Sequence, residues 1–76
     1  MLLKELQSKD VVNVVDGSKL GKITDIELDF ETGNILEITI SKSKYFLGLG
    51  ESKINIPWNK IEKIGGEVII VNLKED

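Results

Sequence analysis

Two runs of strict alternation constrain this chain more than anything else in it. Ile26, Leu28 and Phe30 alternate with Asp25, Glu27 and Asp29, and Leu36, Ile38 and Ile40 alternate with Glu37, Thr39 and Ser41. A period of two sends the apolar set to one face and the polar set to the other, so each run reads as a half-buried strand. Glu31-Thr32-Gly33 between them fits a three-residue loop that ends on a glycine in the left-handed region. Residues 20 to 41 therefore form a β-hairpin with one wet face, and the rest of the chain must cover the other.

The flanking segments supply more strands. Val11-Val-Asn-Val-Val15 is β-branched at four of five positions, and Asp16-Gly17 follows where a two-residue hairpin loop needs positive φ. In the second strand the apolar phase slips between Ile23 and Ile26, three apart instead of two, which predicts a β-bulge and a bent strand. Lys53-Ile54-Asn55-Ile56 alternates again and stops at Pro57, which has no amide proton for a central ladder. Trp58, Ile61 and Ile64 are three apart and suit a helical or 3₁₀ turn. After Gly65-Gly66, the run from Glu67 to Leu73 is apolar on both faces, as a central or barrel-closing strand would be. Leu2, Leu3 and Leu6 predict one turn of helix over residues 2 to 7, with its apolar edge on the core. Five strand-like runs and only one or two short helical turns make the fold all-β. A small barrel is favoured over a flat sheet, because closure covers the last strand and removes exposed edges. Seventy-six residues suffice for one domain, 1–76, near the size at which burial only just offsets ordering entropy.

Composition narrows the function. With no cysteine and no histidine, disulfides, thiolate chemistry and the commonest general base and metal ligands are excluded. No apolar run approaches the roughly 20 residues of a membrane span, and Lys4 and Glu5 interrupt the N-terminus before a signal peptide could develop, so a cytoplasmic protein is expected. Net charge is −3 but unevenly spread: residues 1–41 hold four Lys against eight acids, and residues 42–63 hold five Lys against two. Asp25, Glu27, Asp29 and Glu37 could line one face of the hairpin, but a flat strand face does not wrap a cation as a calcium loop does, so they read as a solvated exterior. Gly48-Leu49-Gly50 lacks the lysine-serine pair and the helix of a phosphate loop. No catalytic residue, metal or cofactor is expected.

The unusual stretch is the loop after Ser41. Tyr45, Phe46, Leu47 and Leu49 are apolar where loops are normally polar, and Lys42 and Lys44 flank them. Lys42, Lys44, Tyr45, Phe46, Leu47 and Leu49 are thus the candidate partner-binding residues, an apolar centre with a basic rim. The same rings, with Trp58 and the lysines of segment 42–63, could instead stack and neutralise single-stranded nucleic acid. The acidic whole, without any arginine, weighs against that.

In the order of its landmarks the chain resembles the PRC-barrel family, named for the photosynthetic reaction centre H subunit. Those landmarks are Leu20-Gly21-Lys22-Ile23 with Asp25-Ile26, the turn Asp29-Phe30-Glu31-Thr32-Gly33, and Ile56-Pro57-Trp58 leading to Ile61, Ile64-Gly65 and Val68-Ile-Ile-Val71. It looks most like the short stand-alone members associated with bacterial sporulation and those of archaea. The resemblance implies a six-stranded barrel without enzymatic chemistry, used as a docking surface. It implies a protein-interaction or adaptor module with a role in sporulation or cell division. Self-association as a homodimer is expected because the acidic hairpin face and the basic loop segment could meet and bury surface that a core of this size needs. The alternative is a ribosome- or RNA-associated accessory factor acting through segment 42–63.

Overall fold

The computed structural model describes residues 1–43 and 51–74, with side chains omitted at 42, 43, 51 and 52. A short helix, α1 (Leu3–Ser8), precedes six strands: β1 (Asp10–Asn13), β2 (Lys19–Leu28), β3 (Ile35–Ser43), β4 (Glu51–Pro57), β5 (Ile61–Ile64) and β6 (Val68–Val71). They form one sheet in the order β4-β3-β2-β1-β6-β5, antiparallel except where β1 and β6 run parallel. The all-β, six-stranded architecture is as the sequence implies.

The sheet is rolled. Laid flat, six strands spaced about 4.8 Å apart would separate β4 from β5 by roughly 24 Å. These edge strands are joined only by a 3₁₀ turn, Trp58–Lys60, which at about 2 Å per residue spans well under half of that. The two edges therefore meet at this corner, although among the described residues no ladder closes β4 onto β5. Asn72 N–H, just past β6, donates to the Lys60 carbonyl at 2.9 Å and fastens the corner.

The inner face carries Val11, Leu20, Ile23, Ile38, Ile40, Ile56, Ile69 and Val71, with Leu6 of α1 laid across them. Ile38 and Ile40 are fully buried while Glu37, Thr39 and Ser41 stay half-buried on the other side, which is the alternation expected of β3. The bulge in β2 is present: Ile23 pairs with Ile40 and Asp25 with Thr39, so Thr24 is the extra residue.

Several local expectations need correction. Residues 61 to 64 are a strand and not the end of a helical turn, because Ile61 and Ile64 pair with Val71 and Ile69; this supplies the sixth strand. β6 is buried only through Ile69 and Val71, while Val68 is exposed and Ile70 half-buried. β1 stops at Asn13, and Val14 and Val15 lie exposed in the turn.

Both hairpin loops have four residues, not two and three, and they share one design. Asn13 N–H donates to Ser18 carbonyl at 2.9 Å and Gly17 N–H to Asn13 carbonyl at 2.8 Å. Asp29 N–H donates to Asn34 carbonyl at 2.8 Å and Gly33 N–H to Asp29 carbonyl at 2.7 Å. In each loop the first side chain caps a backbone amide, Asn13 Oδ1 that of Val15 and Asp29 Oδ1 that of Glu31. Each ends on a glycine with positive φ, +72° at Gly17 and +77° at Gly33. An Asx side chain that folds the backbone over itself lengthens the loop that glycine position alone suggests, by two residues in the first hairpin and by one in the second.

Candidate functional site

The described surface holds one contiguous apolar recess, and it arises because two elements outrun their cover. β1 pairs with β2 only as far as Lys22, and β4 pairs with β3 only as far as Glu37. Beyond those points the β2–β3 hairpin has no strand on either side. Its inner face nevertheless continues the apolar stripe of the core through Ile26, Leu28 and Ile35, with Leu28 directly opposite Ile35. Leu28 remains 56% exposed.

The second element is α1. A six-residue helix is too short to persist alone, and it is held by Leu6 on the core and by two lysines at its C-terminal end. Lys22 Nζ donates to the Ser8 carbonyl at 2.9 Å. Lys9, buried along its stem, extends Nζ to the Gly66 carbonyl at 2.6 Å. Leu2 and Leu3 precede Leu6 by four and three residues and so share its side of the helix. They do not reach the core as expected, because the stripe runs off its edge, leaving Leu2 58% and Leu3 55% exposed.

Helix, hairpin and corner turn thus enclose a groove of about 360 Å³. Of its lining residues Leu6 is buried, Ile26, Ile35 and Trp58 are half-buried, and Met1, Leu2, Leu3 and Ile64 are exposed. An adjoining recess of about 330 Å³ shares Leu3, Ile26 and Ile35 and extends to Leu28, Gln7 and Asp25. Trp58 is half-buried, packed on the core on one side and bordering the groove on the other. No side chain lining the main groove is polar, so it offers no acid, base or nucleophile; it can take apolar groups out of water.

The outer face of the hairpin is different in kind. Glu27 and Glu37 stand directly opposite each other on β2 and β3, an arrangement that like charges disfavour. Partial loss of hydration raises the pKa of Glu37, and its hydrogen bond with Glu27 and the negative charge there push the same way. Asp25 and Asp29 are engaged locally, Asp25 Oδ1 by its neighbour's amide at Ile26 and Asp29 Oδ1 by Glu31. Among the described residues no three carboxylates converge as a metal site requires. In a polar hollow by Asn59, Lys60, Glu62, Asn72 and Lys74, the Asn72 side chain is engaged at both ends, Nδ2 donating to Glu62 Oε1 at 2.9 Å and Oδ1 accepting from the Lys74 amide at 3.0 Å.

Of the partner-binding residues expected from sequence, Lys44, Tyr45, Phe46, Leu47 and Leu49 lie outside the described residues, as does the side chain of Lys42. That segment leaves β3 at Ser43, whereas the groove lies by Ile35. Leu3, Ile26, Ile35 and Trp58 of the groove are not among those expected residues, so the groove is a feature that sequence reasoning missed. Among the described residues no helix is long and apolar enough to cross a membrane.

Comparison with known proteins is consistent with this geometry. Residues 1–76 match the family model described as PRC-barrel domain. The chain is 45% identical over 75 residues to "Probable sporulation protein YlmC" of Bacillus subtilis, covering 96% of this chain and 93% of that protein. It is 35% identical over 80 residues to "Uncharacterized protein YmxH" of the same organism, with 100% and 93% covered. An uncharacterized protein of Clostridium acetobutylicum is 37% identical over 73 residues, with 92% and 82% covered.

Proposed function

The chain belongs to the PRC-barrel domain family, and we propose that it is a non-enzymatic protein-interaction module, an adaptor that works in the cytoplasm and self-associates. The observation that carries this reading is the apolar groove between α1, the projecting hairpin and Trp58, which is open to water and has no chemistry of its own. Leaving Leu2, Leu3 and Leu28 more than half exposed costs a small domain burial that it needs, and a partner surface supplies it. The family match over the whole chain and the printed names of the relatives carry no catalytic activity, which supports the non-enzymatic reading. Similarity to a probable sporulation protein supports service in sporulation. The segment bearing Lys42, Lys44, Tyr45, Phe46, Leu47 and Leu49 is proposed as a second contact region at the other end of β3.

The test is a double variant, Leu2→Glu with Leu3→Glu, which touches exposed side chains and leaves Leu6 in place. Wild-type chain should retain a protein partner from its native cell that the variant loses, with the far-UV circular dichroism spectrum of the fold unchanged. Equal retention by both would remove the groove from the reading. Retention of ribosomes or RNA by the wild type at moderate salt, in place of protein, would replace the adaptor role with an RNA-associated one.

A further inference from the structure

We propose that two copies of the chain pair by reciprocal insertion, Phe30 at the hairpin tip of each entering the apolar groove of the other. This rests on reading the groove as a contact surface and adds the identity of its occupant. Phe30 is completely exposed, 102% relative to an extended reference, at the end of a loop that cannot rearrange cheaply. Besides the two backbone bonds that close this loop, Glu31 N–H donates to Asp29 Oδ1 at 2.9 Å and Asn34 N–H to Thr32 Oγ1 at 3.2 Å. An aromatic side chain on a loop fixed in this way is pre-organised, so little ordering entropy is lost when it docks. The sister loop over residues 14–17, built on the same bonds, presents only Val14 and Val15. The hydrogen-bonded frame therefore does not require an aromatic residue at this place.

The groove suits such a knob. Its volume of about 360 Å³ exceeds one phenylalanine side chain, and its lining is predominantly apolar. The area is adequate as well. Phe30 contributes on the order of 200 Å², and with the exposed parts of Met1, Leu2, Leu3 and Leu28 each copy buries roughly 500 Å², which brings a reciprocal pair to the ~1,000 Å² that a specific interface needs. Charge is complementary too: the tip carries Asp29 and Glu31 beside Phe30, while exposed Lys4 and Lys63 adjoin groove residues Leu3 and Ile64. Neither lysine takes part in an ion pair among the described residues. A two-fold axis satisfies both insertions at once and yields a closed dimer.

The chain contains no cysteine, so engineered thiols report contacts without background. Phe30→Cys and Leu2→Cys chains, made separately and mixed under oxidising conditions, should form a disulfide-linked heterodimer. Phe30→Cys alone should give far less cross-linking. By sedimentation equilibrium, Phe30→Ser should weaken the wild-type dimer roughly thirtyfold or more, the loss typical of a central aromatic anchor, with the far-UV circular dichroism spectrum of the fold unchanged, and Phe30→Trp should restore it. A Phe30→Ser dimer as tight as wild type, while Leu3→Glu is monomeric, would overturn the insertion and leave the groove reading intact. Indifference to both substitutions would overturn both. A wild-type chain that stays monomeric into the millimolar range would overturn the insertion and leave the groove to another protein.

Discussion

The three glycines with positive φ among the described residues should rank sharply when each is replaced by alanine, and Gly21 should be worst by a wide margin. Gly17 and Gly33 lie in the left-handed region with nothing within 4 Å of an added Cβ, so the penalty there is conformational alone. That penalty is about 1–2 kcal/mol for an L-residue. Gly21 has φ +128°, outside the pocket that other residues visit, and its added Cβ would sit 3.1 Å from the Ser41 carbonyl oxygen and 3.2 Å from Ile40 Cγ2. The oxygen belongs to the β2–β3 pairing and Ile40 is fully buried, so neither has room to yield. Strain and overpacking together should cost about 3 kcal/mol or more. A 76-residue chain at about 0.05–0.15 kcal/mol per residue has only ~4–11 kcal/mol in total, so Gly21→Ala removes a large share of it. Trp58 is the only tryptophan and packs on the core, which makes its fluorescence in a urea titration the natural assay. The midpoint should fall modestly for Gly17→Ala and Gly33→Ala and steeply for Gly21→Ala. Gly33→Asn should fall less than Gly33→Ala, because asparagine tolerates this region. Midpoints for Gly21→Ala and Gly33→Ala within error of each other would refute the reasoning.

Two further substitutions test the outer face and the loop frame. Because the pKa of Glu37 is raised in the fold, its deprotonation costs stability. The penalty is absent below the ordinary glutamate range and complete once pH exceeds the raised value. Glu37→Gln should therefore stabilise the chain at neutral pH and do so progressively less as pH falls to 4, read by thermal melts across pH; a pH-independent difference would contradict this. Asn13 is buried, and its Oδ1 accepts from the amides of Val15 at 3.2 Å and Leu73 at 3.3 Å. Asn13→Ala orphans both amides and should cost about 1–3 kcal/mol, whereas Asn13→Asp keeps the acceptor and should cost less; equal losses in urea titrations would refute the capping role.

The hairpin and its bulge were legible because period-two alternation, and a break in it, are properties of the residues alone. Ile23 and Ile26 have three-residue spacing wherever they lie, and the extra residue had to go somewhere. β5 was not legible for the complementary reason. Ile61 and Ile64 at a spacing of three fit a helical turn equally well, and only their pairing with Val71 and Ile69 decides for a strand. The loop lengths failed on side-chain capping, since Asn13 and Asp29 each bind an amide two residues on and pull further residues into the turn, two in the first loop and one in the second.

The groove was illegible for a deeper reason: it is made of residues that look like core. Leu3 shares the helical side of Leu6, and Ile26 and Leu28 keep the period-two alternation of Ile38 and Ile40. Ile35 joins them because Leu36, which alternation assigns to the inner face, is the extra residue of a second bulge and is exposed. Nothing local distinguishes apolar residues with cover from those without. What separates them is where the neighbours stop, β1 opposite Lys22 and β4 opposite Glu37. One residue did carry a readable signal. Phe30 sits between Asp29 and the polar run Glu31-Thr32-Gly33, at a tip where no strand could ever cover it. Alternation assigns it to the inner face with Ile26 and Leu28, whereas a hairpin turn places it beyond every layer of its own sheet. On the proposal that two copies pair, this side chain, which obeys the core pattern yet has no core of its own to enter among the described residues, is buried in the partner's groove. The hairpin tip and the uncovered groove therefore express the same imbalance: more apolar surface than one copy of this sheet can enclose.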